Sequence, residues 1–448
     1  LFKVDKGFQF VVFIIKHRTK QLLVVLDSRN MRRGSGSSIA TTSEEIPLLE
    51  RHQNKRLLSS QFKTFANIFI AIVGSGVLGL PYSFKRSGWV TSLITLFSVA
   101  AITHYCLMLL IHTRRRLVHS RRSGHEIGSY GDVAFEIFGS IGRLVVDIFV
   151  ILCQTSFCVS YLIFIGSTIA NLVGGDPSLQ AISVRSNKIY VWACFPFQLG
   201  LNSIASLTRL ASLSICADIV DFIAKGVVMG KEIQIMWSAR PQVYAIRGFW
   251  EISYVMGVAV YAFEGVGMVL PLEAEMKERD KFGRMLGLAM AVISVLYSLF
   301  GLLGYLAFGN DTQEIITANL GGGIISSVIQ VALCLNLFIT FPIMMNPVYE
   351  ILERRLWGGR HCYWIRWLAV LLLTAAAMMI PNFTDFLSLV GNSVCTCLGF
   401  VIPSLLHIML FKDEMDWKYI LVDVTIVIVA TVFTLLATFS SLAHLLSA

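Results

Sequence analysis

The sequence predicts an all-α integral membrane protein of about eleven transmembrane helices. They form a five-plus-five inverted repeat with helices 1 and 6 broken, plus an extra C-terminal helix. Three observations predict this. The 448 residues are 55% hydrophobic and 15% charged, with mean hydropathy +0.70, which is more apolar side chain than a soluble domain can hide from water. Apolar runs recur at lengths near the roughly 20 residues that cross a hydrocarbon layer. Two of those runs, separated by five spans and their loops, carry glycine clusters and a Leu-Pro pair at their centres.

The runs lie at about 62–84, 88–112, 142–172, 189–208, 211–230, 249–271, 285–308, 323–350, 364–381, 384–410 and 419–446. Ahead of them the chain starts with Leu, and its first Met is Met31. Residues 1–30 therefore read as non-native or upstream translation, the rival being a processed or fragmentary precursor. Residues 31–61, polar and Ser-rich, read as a disordered tail, and residues 62–447 form the membrane domain.

The net charge of +9 sits mainly in connections between spans, so it reports orientation and not a nucleic-acid partner. With the N-terminus cytosolic, seventeen Lys and Arg fall in cytosolic connections and seven on the other side, the distribution expected of that topology. The sequons at Asn310 and Asn382 then face away from the cytosol, Asn382 too near the membrane for glycosylation. Nine cysteines form no CxxC or CxxxC spacing; they read as small packing residues, with no metal site and no disulfide framework. HExxH, GxSxG and P-loop patterns are missing, so no enzyme is expected.

The first interrupted run is FIAIVGSGVLGLPYSFK (69–85) and the second VYAFEGVGMVLPLEAEM (260–276). Glycine and proline favour local unwinding, and unwound backbone in lipid is costly unless something polar completes it. A half-helix beginning after Gly74, Ser75 and Gly76 offers N–H groups and a positive dipole end to a carboxylate. A half-helix ending near Phe263 offers carbonyls to an ammonium group. An α-amino acid carries both charges on one carbon, so the candidate substrate-binding residues are Gly74, Ser75, Gly76, Val77, Phe263, Glu264 and Gly265. The competing account is that glycines permit close helix packing and prolines bend the chain; two interruptions at matching places of two halves favour the binding account.

GSGVLGLPYSFKRSGW (74–89), CFPFQLGLNSIASL (194–207), YAFEGVGMVLPLEAEMK (261–277), FITFPIMMNPVYEILERR (338–355) and PNFTDFLSLVGNSVC (381–395) resemble the amino acid/auxin permease family, most nearly its plant vacuolar neutral amino acid transporter branch. The resemblance implies the amino acid-polyamine-cation transporter superfamily fold, an amino acid substrate and secondary active transport. It needs no cofactor, a proton gradient being the driving force.

Glu264 and Asp218 are the coupling candidates. An ionised carboxylate at mid-membrane costs about 3 kcal/mol on insertion scales, so Glu264 must be paired, protonated or wet, as a proton-linked gate or as a holder of the unwound segment. Asp221 and Lys225 read as an i,i+4 pair, which leaves Asp218 on the same helix face. The tail carries EEIPLLER, with Glu44 ahead of Leu48 and Leu49, a spacing of the kind read by cytosolic sorting adaptors. With the branch resemblance this places the protein in the vacuolar membrane, releasing neutral amino acids to the cytosol. The alternatives are a plasma-membrane proton symporter and an amino acid sensor using the same site.

Overall fold

The computed structural model describes residues 59–120, 127–173, 180–204, 207–238, 241–248, 251–358 and 360–447. The sorting motif and residues 1–30 lie outside them. The described residues are helical throughout, apart from connections and one isolated bridge between Ser59 and Met276.

In chain order the helices are α1 (Gln61–Ile72), α2 (Leu80–Ser87), α3 (Trp89–Ser120), α4 (Tyr130–Val173), α5 (Gln180–Asn202), α6 (Leu207–Ser238), α7 (Glu251–Ala262), α8 (Val266–Glu275), α9 (Phe282–Phe308), α10 (Ile324–Trp357), α11 (Tyr363–Met379), α12 (Phe383–Val390), α13 (Ile402–Phe411) and α14 (Trp417–Ser447). A helix falls on each of the eleven apolar runs. Among the described residues, seven helices are long and apolar enough to cross a membrane, or eight spans if the pair Gln61–Ile72 and Ser75–Ser87, bent by 50°, is counted as one. The protein is thus a multi-pass membrane protein. Among the others, α11 is short at 17 residues, and α6 carries Asp218, Asp221, Lys225, Lys231 and Glu232 along its length.

Local sequence explains where these helices stop and bend. Pro81 sits in the first turn of α2, where its missing N–H is an orphan in any helix. Gly88 closes α2 at φ 90°, with the backbone of Ala245 too close for a Cβ. Between α12 and α13 the chain runs through two π-helical turns, Gly391–Cys395 and Cys397–Val401. There the Thr396 hydroxyl donates to the Gly391 carbonyl at 2.7 Å, taking up a backbone acceptor that the widened turn displaces.

Ion pairs tie both ends of the bundle. At one end Arg86 of α2 pairs with Glu251 of α7 at 3.0 Å and with Asp385 of α12 at 3.5 Å, its guanidinium lying over the Tyr254 ring. At the other, Arg114 and Arg115 of α3 grip Glu273 of α8 at 2.8 and 2.6 Å. Arg114 also donates to the carbonyls of Ile127 and Leu270. The start of α1 is stitched to the end of α8 there, Ser59 N–H donating to the Glu275 carbonyl at 2.8 Å and Lys277 N–H to that of Ser59 at 3.1 Å.

Candidate functional site

The first interruption separates α1 from a 3-10 turn, Ser75–Gly79, that leads into α2. Gly74 has φ −109° and ψ −153°, an extended link in the middle of the span. The second leaves Phe263, Glu264 and Gly265 between α7 and α8. Sequence thus located both breaks to within a few residues, because Gly and Pro act locally on the backbone.

The two breaks lie against each other. A Cβ on Gly76 would stand 2.8 Å from the Cα of Ala262, and one on Gly265 would stand 2.9 Å from Cγ1 of Ile72. Glycine at 76 is needed because backbone passes backbone there. Ser75, Gly76 and Val77 are buried; Gly74 is partly exposed, and a Cβ on it would meet nothing within 4 Å.

Side chains from two other helices finish the backbone at the breaks, and a third helix braces them. The Tyr297 hydroxyl of α9 lies 3.1 Å from the Ile72 carbonyl and 3.2 Å from the Ala262 carbonyl, the last residues of α1 and α7. It holds one proton for two acceptors, so one of the pair is short at any instant. Lys225 of α6 donates to the Gly74 carbonyl at 2.9 Å and to Asp221 at 2.6 Å. The Tyr261 hydroxyl meets Ser160 Oγ of α4 at 2.5 Å. Phe263 is fully buried, its ring 5.1 Å from that of Tyr297.

Of the coupling candidates, Glu264 is partly buried at the second break, and its Oε1 accepts the N–H of Val266 at 3.1 Å, capping the start of α8. It thereby spends an orphan donor of the half-helix on the protein itself. Asp218 is partly buried one turn before Asp221 on α6. The i,i+4 pair of Asp221 and Lys225 forms, and it does more than neutralise itself, because Lys225 reaches the first break.

Sequence spacing concealed a further grouping. Cys153 of α4 and Cys395 of the π-turn lie 3.8 Å apart, and with a Glu264 oxygen they place three possible metal donors within 4.8 Å of one another. The cysteines are 242 residues apart in the chain, so no local motif announces them. The roles of Tyr297 and Lys225 were equally hidden; the available signal was a hydroxyl and an ammonium inside apolar spans, which must find partners there.

Two helices broken at mid-span, crossing at their breaks and finished by polar groups from their neighbours, define a membrane transporter of the broken-helix kind. The chain belongs to the transmembrane amino acid transporter protein family, whose pattern matches residues 58–447. It is 57% identical over 408 residues to amino acid transporter AVT3B of Arabidopsis thaliana, covering 90% of this chain and 97% of that one. It is 54% identical over 417 residues to AVT3C of the same plant, covering 90% and 94%. Vacuolar amino acid transporter 3 of Schizosaccharomyces pombe is 26% identical over 385 residues, covering 82% of this chain and 56% of that one. Among solved structures, the inward-facing conformation of Mhp1 superposes with TM-score 0.55 at 14% identity over 87% of this chain and 92% of that one, a likeness of fold.

Proposed function

We propose that this protein is a secondary active transporter that moves neutral L-amino acids across the vacuolar membrane, coupled to protons and releasing substrate to the cytosol. The observation that carries the reading is the meeting of the two breaks: among the described residues, the side chains that serve the carbonyls of Ile72, Gly74 and Ala262 are Tyr297 and Lys225. A zwitterion seated there supplies an ammonium to the carbonyls, and its carboxylate takes N–H groups of the Ser75–Gly79 turn. Ile72, Val77, Tyr261 and Phe263 beside the breaks are uncharged, while Glu264 is turned to the Val266 N–H and Lys225 to Asp221 and the Gly74 carbonyl, which supports neutral amino acids. The Lys225 ammonium already serves the Gly74 carbonyl, a group that an alkali cation would otherwise take, which supports protons over sodium.

The basic connections support a cytosolic N-terminus, and with it the Arg86 end faces the lumen. The vacuolar setting rests on the relatives named above and on Glu44, Leu48 and Leu49 as an adaptor motif. An acidic lumen supplies protons on that side and drives release to the cytosol. Flux in liposomes carrying the purified full chain, with an imposed pH gradient and a panel of labelled amino acids, tests substrate, coupling and direction together. Uptake indifferent to the pH gradient removes the coupling; no uptake of any amino acid removes the reading.

A further inference from the structure

The bundle buries a carboxylate that this reading leaves unused. Glu232 lies on α6 about two turns beyond Lys225, toward the end of the bundle that holds Arg86. The residue is 0% exposed, and neither Oε1 nor Oε2 has a hydrogen-bond partner among the described residues. It lies where α2 and α9 pack closely: a Cβ on Gly304 would stand 2.8 Å from the Pro81 ring and 3.0 Å from Glu232 Oε1. Glu232 therefore sits directly behind the half-helix that carries Arg86.

The charged and titratable groups on the elements packed around it are engaged elsewhere. On α6, Lys231 donates to Ser326 Oγ at 2.7 Å. On α2, Lys85 donates to the Thr312 carbonyl at 3.0 Å, Arg86 holds Glu251 and Asp385, and Tyr82 packs edge-on to Tyr254. On α9, the Tyr305 hydroxyl accepts the N–H of Tyr244. From α10, the Gln330 amide donates to the Thr317 carbonyl. An ionised carboxylate sealed in without a donor is far costlier than the neutral acid, so Glu232 holds a proton in this arrangement.

We infer that Glu232 is a proton-binding site that controls the Arg86-bearing half-helix, and the inference rests on the transport reading above. A proton taken from the aqueous phase on the Arg86 side converts the carboxylate to the acid and lets α2 seat against α6 and α9. When α2 withdraws, water reaches the side chain and the proton returns to that phase. Closure of the Arg86 side is thus favoured by acid on that side.

The test uses the full chain in liposomes, with labelled amino acid exchanging between equal internal and external pools while pH on the Arg86 side is varied. Wild-type exchange varies several-fold with that pH. Glu232→Gln, a neutral side chain of the same shape, exchanges at a rate that no longer responds to it, and Glu232→Met behaves alike. A wild-type pH profile in Glu232→Gln overturns the inference. So does failure of both variants to fold, since that shows a charged and partnered carboxylate. Thermal stability of the same proteins separates the two readings. Wild type loses stability relative to Glu232→Gln as pH rises, because the sealed acid holds its proton more tightly than the water-exposed carboxyl of the unfolded chain. If wild type exchanges no amino acid, the transport reading fails, and the proton site stands or falls on that pH-dependent difference.

Discussion

The ammonium of Lys225 lies 2.9 Å from the carbonyl oxygen of Gly74, so a cation on α6 is fixed to the unwound backbone of the first broken helix. Lys225→Met removes that donor and leaves Asp221 buried without its partner, a loss of about 3–5 kcal/mol. The expected result is poor folding, read by size-exclusion of a fluorescent fusion. Asp221→Asn with Lys225→Met restores folding because no charge is stranded, yet transport stays at least ten-fold down. Full transport by the double variant would show that the Gly74 contact is dispensable.

Tyr297→Phe keeps the ring packed on Phe263 and removes only the hydroxyl shared by Ile72 and Ala262. A buried carbonyl left without a donor costs about 1–3 kcal/mol. Thermal stability should fall accordingly, and added substrate should restore more of it in the variant than in wild type. Equal melting of the two proteins without substrate contradicts this role for the hydroxyl.

The two break glycines should respond differently to a methyl group. Gly76→Ala drives a Cβ into the backbone of Ala262, whereas Gly265→Ala meets only the movable Ile72 side chain. Uptake in membrane vesicles should be abolished by Gly76→Ala and Gly76→Val, reduced only a few-fold by Gly265→Ala, and abolished by Gly265→Val. Equal effects of the two alanines would count against the crossing.

Glu264→Gln preserves an acceptor for the Val266 N–H, so the cap on α8 survives. If Glu264 carries the coupling proton, amino acid exchange persists while pH-driven accumulation disappears. Accumulation with the wild-type pH profile leaves Glu264 its capping role alone.

Glu314, in the connection ahead of α10, is pushed up to about 7, first by burial and then by the negative charge of Asp385; the Phe383 N–H and the cations Arg86 and Lys85 oppose the rise. The folded state therefore binds this proton more tightly than the unfolded one. Its contribution is greatest below about pH 4.5 and is lost as pH rises through about 7. Glu314→Gln should match wild type near pH 4 and exceed it at pH 8 by on the order of 2 kcal/mol, discounted for partial exposure. Melting curves at the two pH values decide it.

The sequence by itself determined the membrane class, the positions of the helices and the two interruptions, because hydropathy over a span and Gly or Pro at one position act within a few residues of chain. The i,i+4 pairing of Asp221 and Lys225 was legible for the same reason. Only the tertiary structure decided that Lys225 also reaches Gly74, that Tyr297 serves both breaks, that Gly76 faces Ala262, and that Cys153 approaches Cys395. Each of these joins residues far apart along the chain. Composition requires a buried hydroxyl, ammonium or glycine to find a complement, but only the packing of one helix on another says which complement it finds.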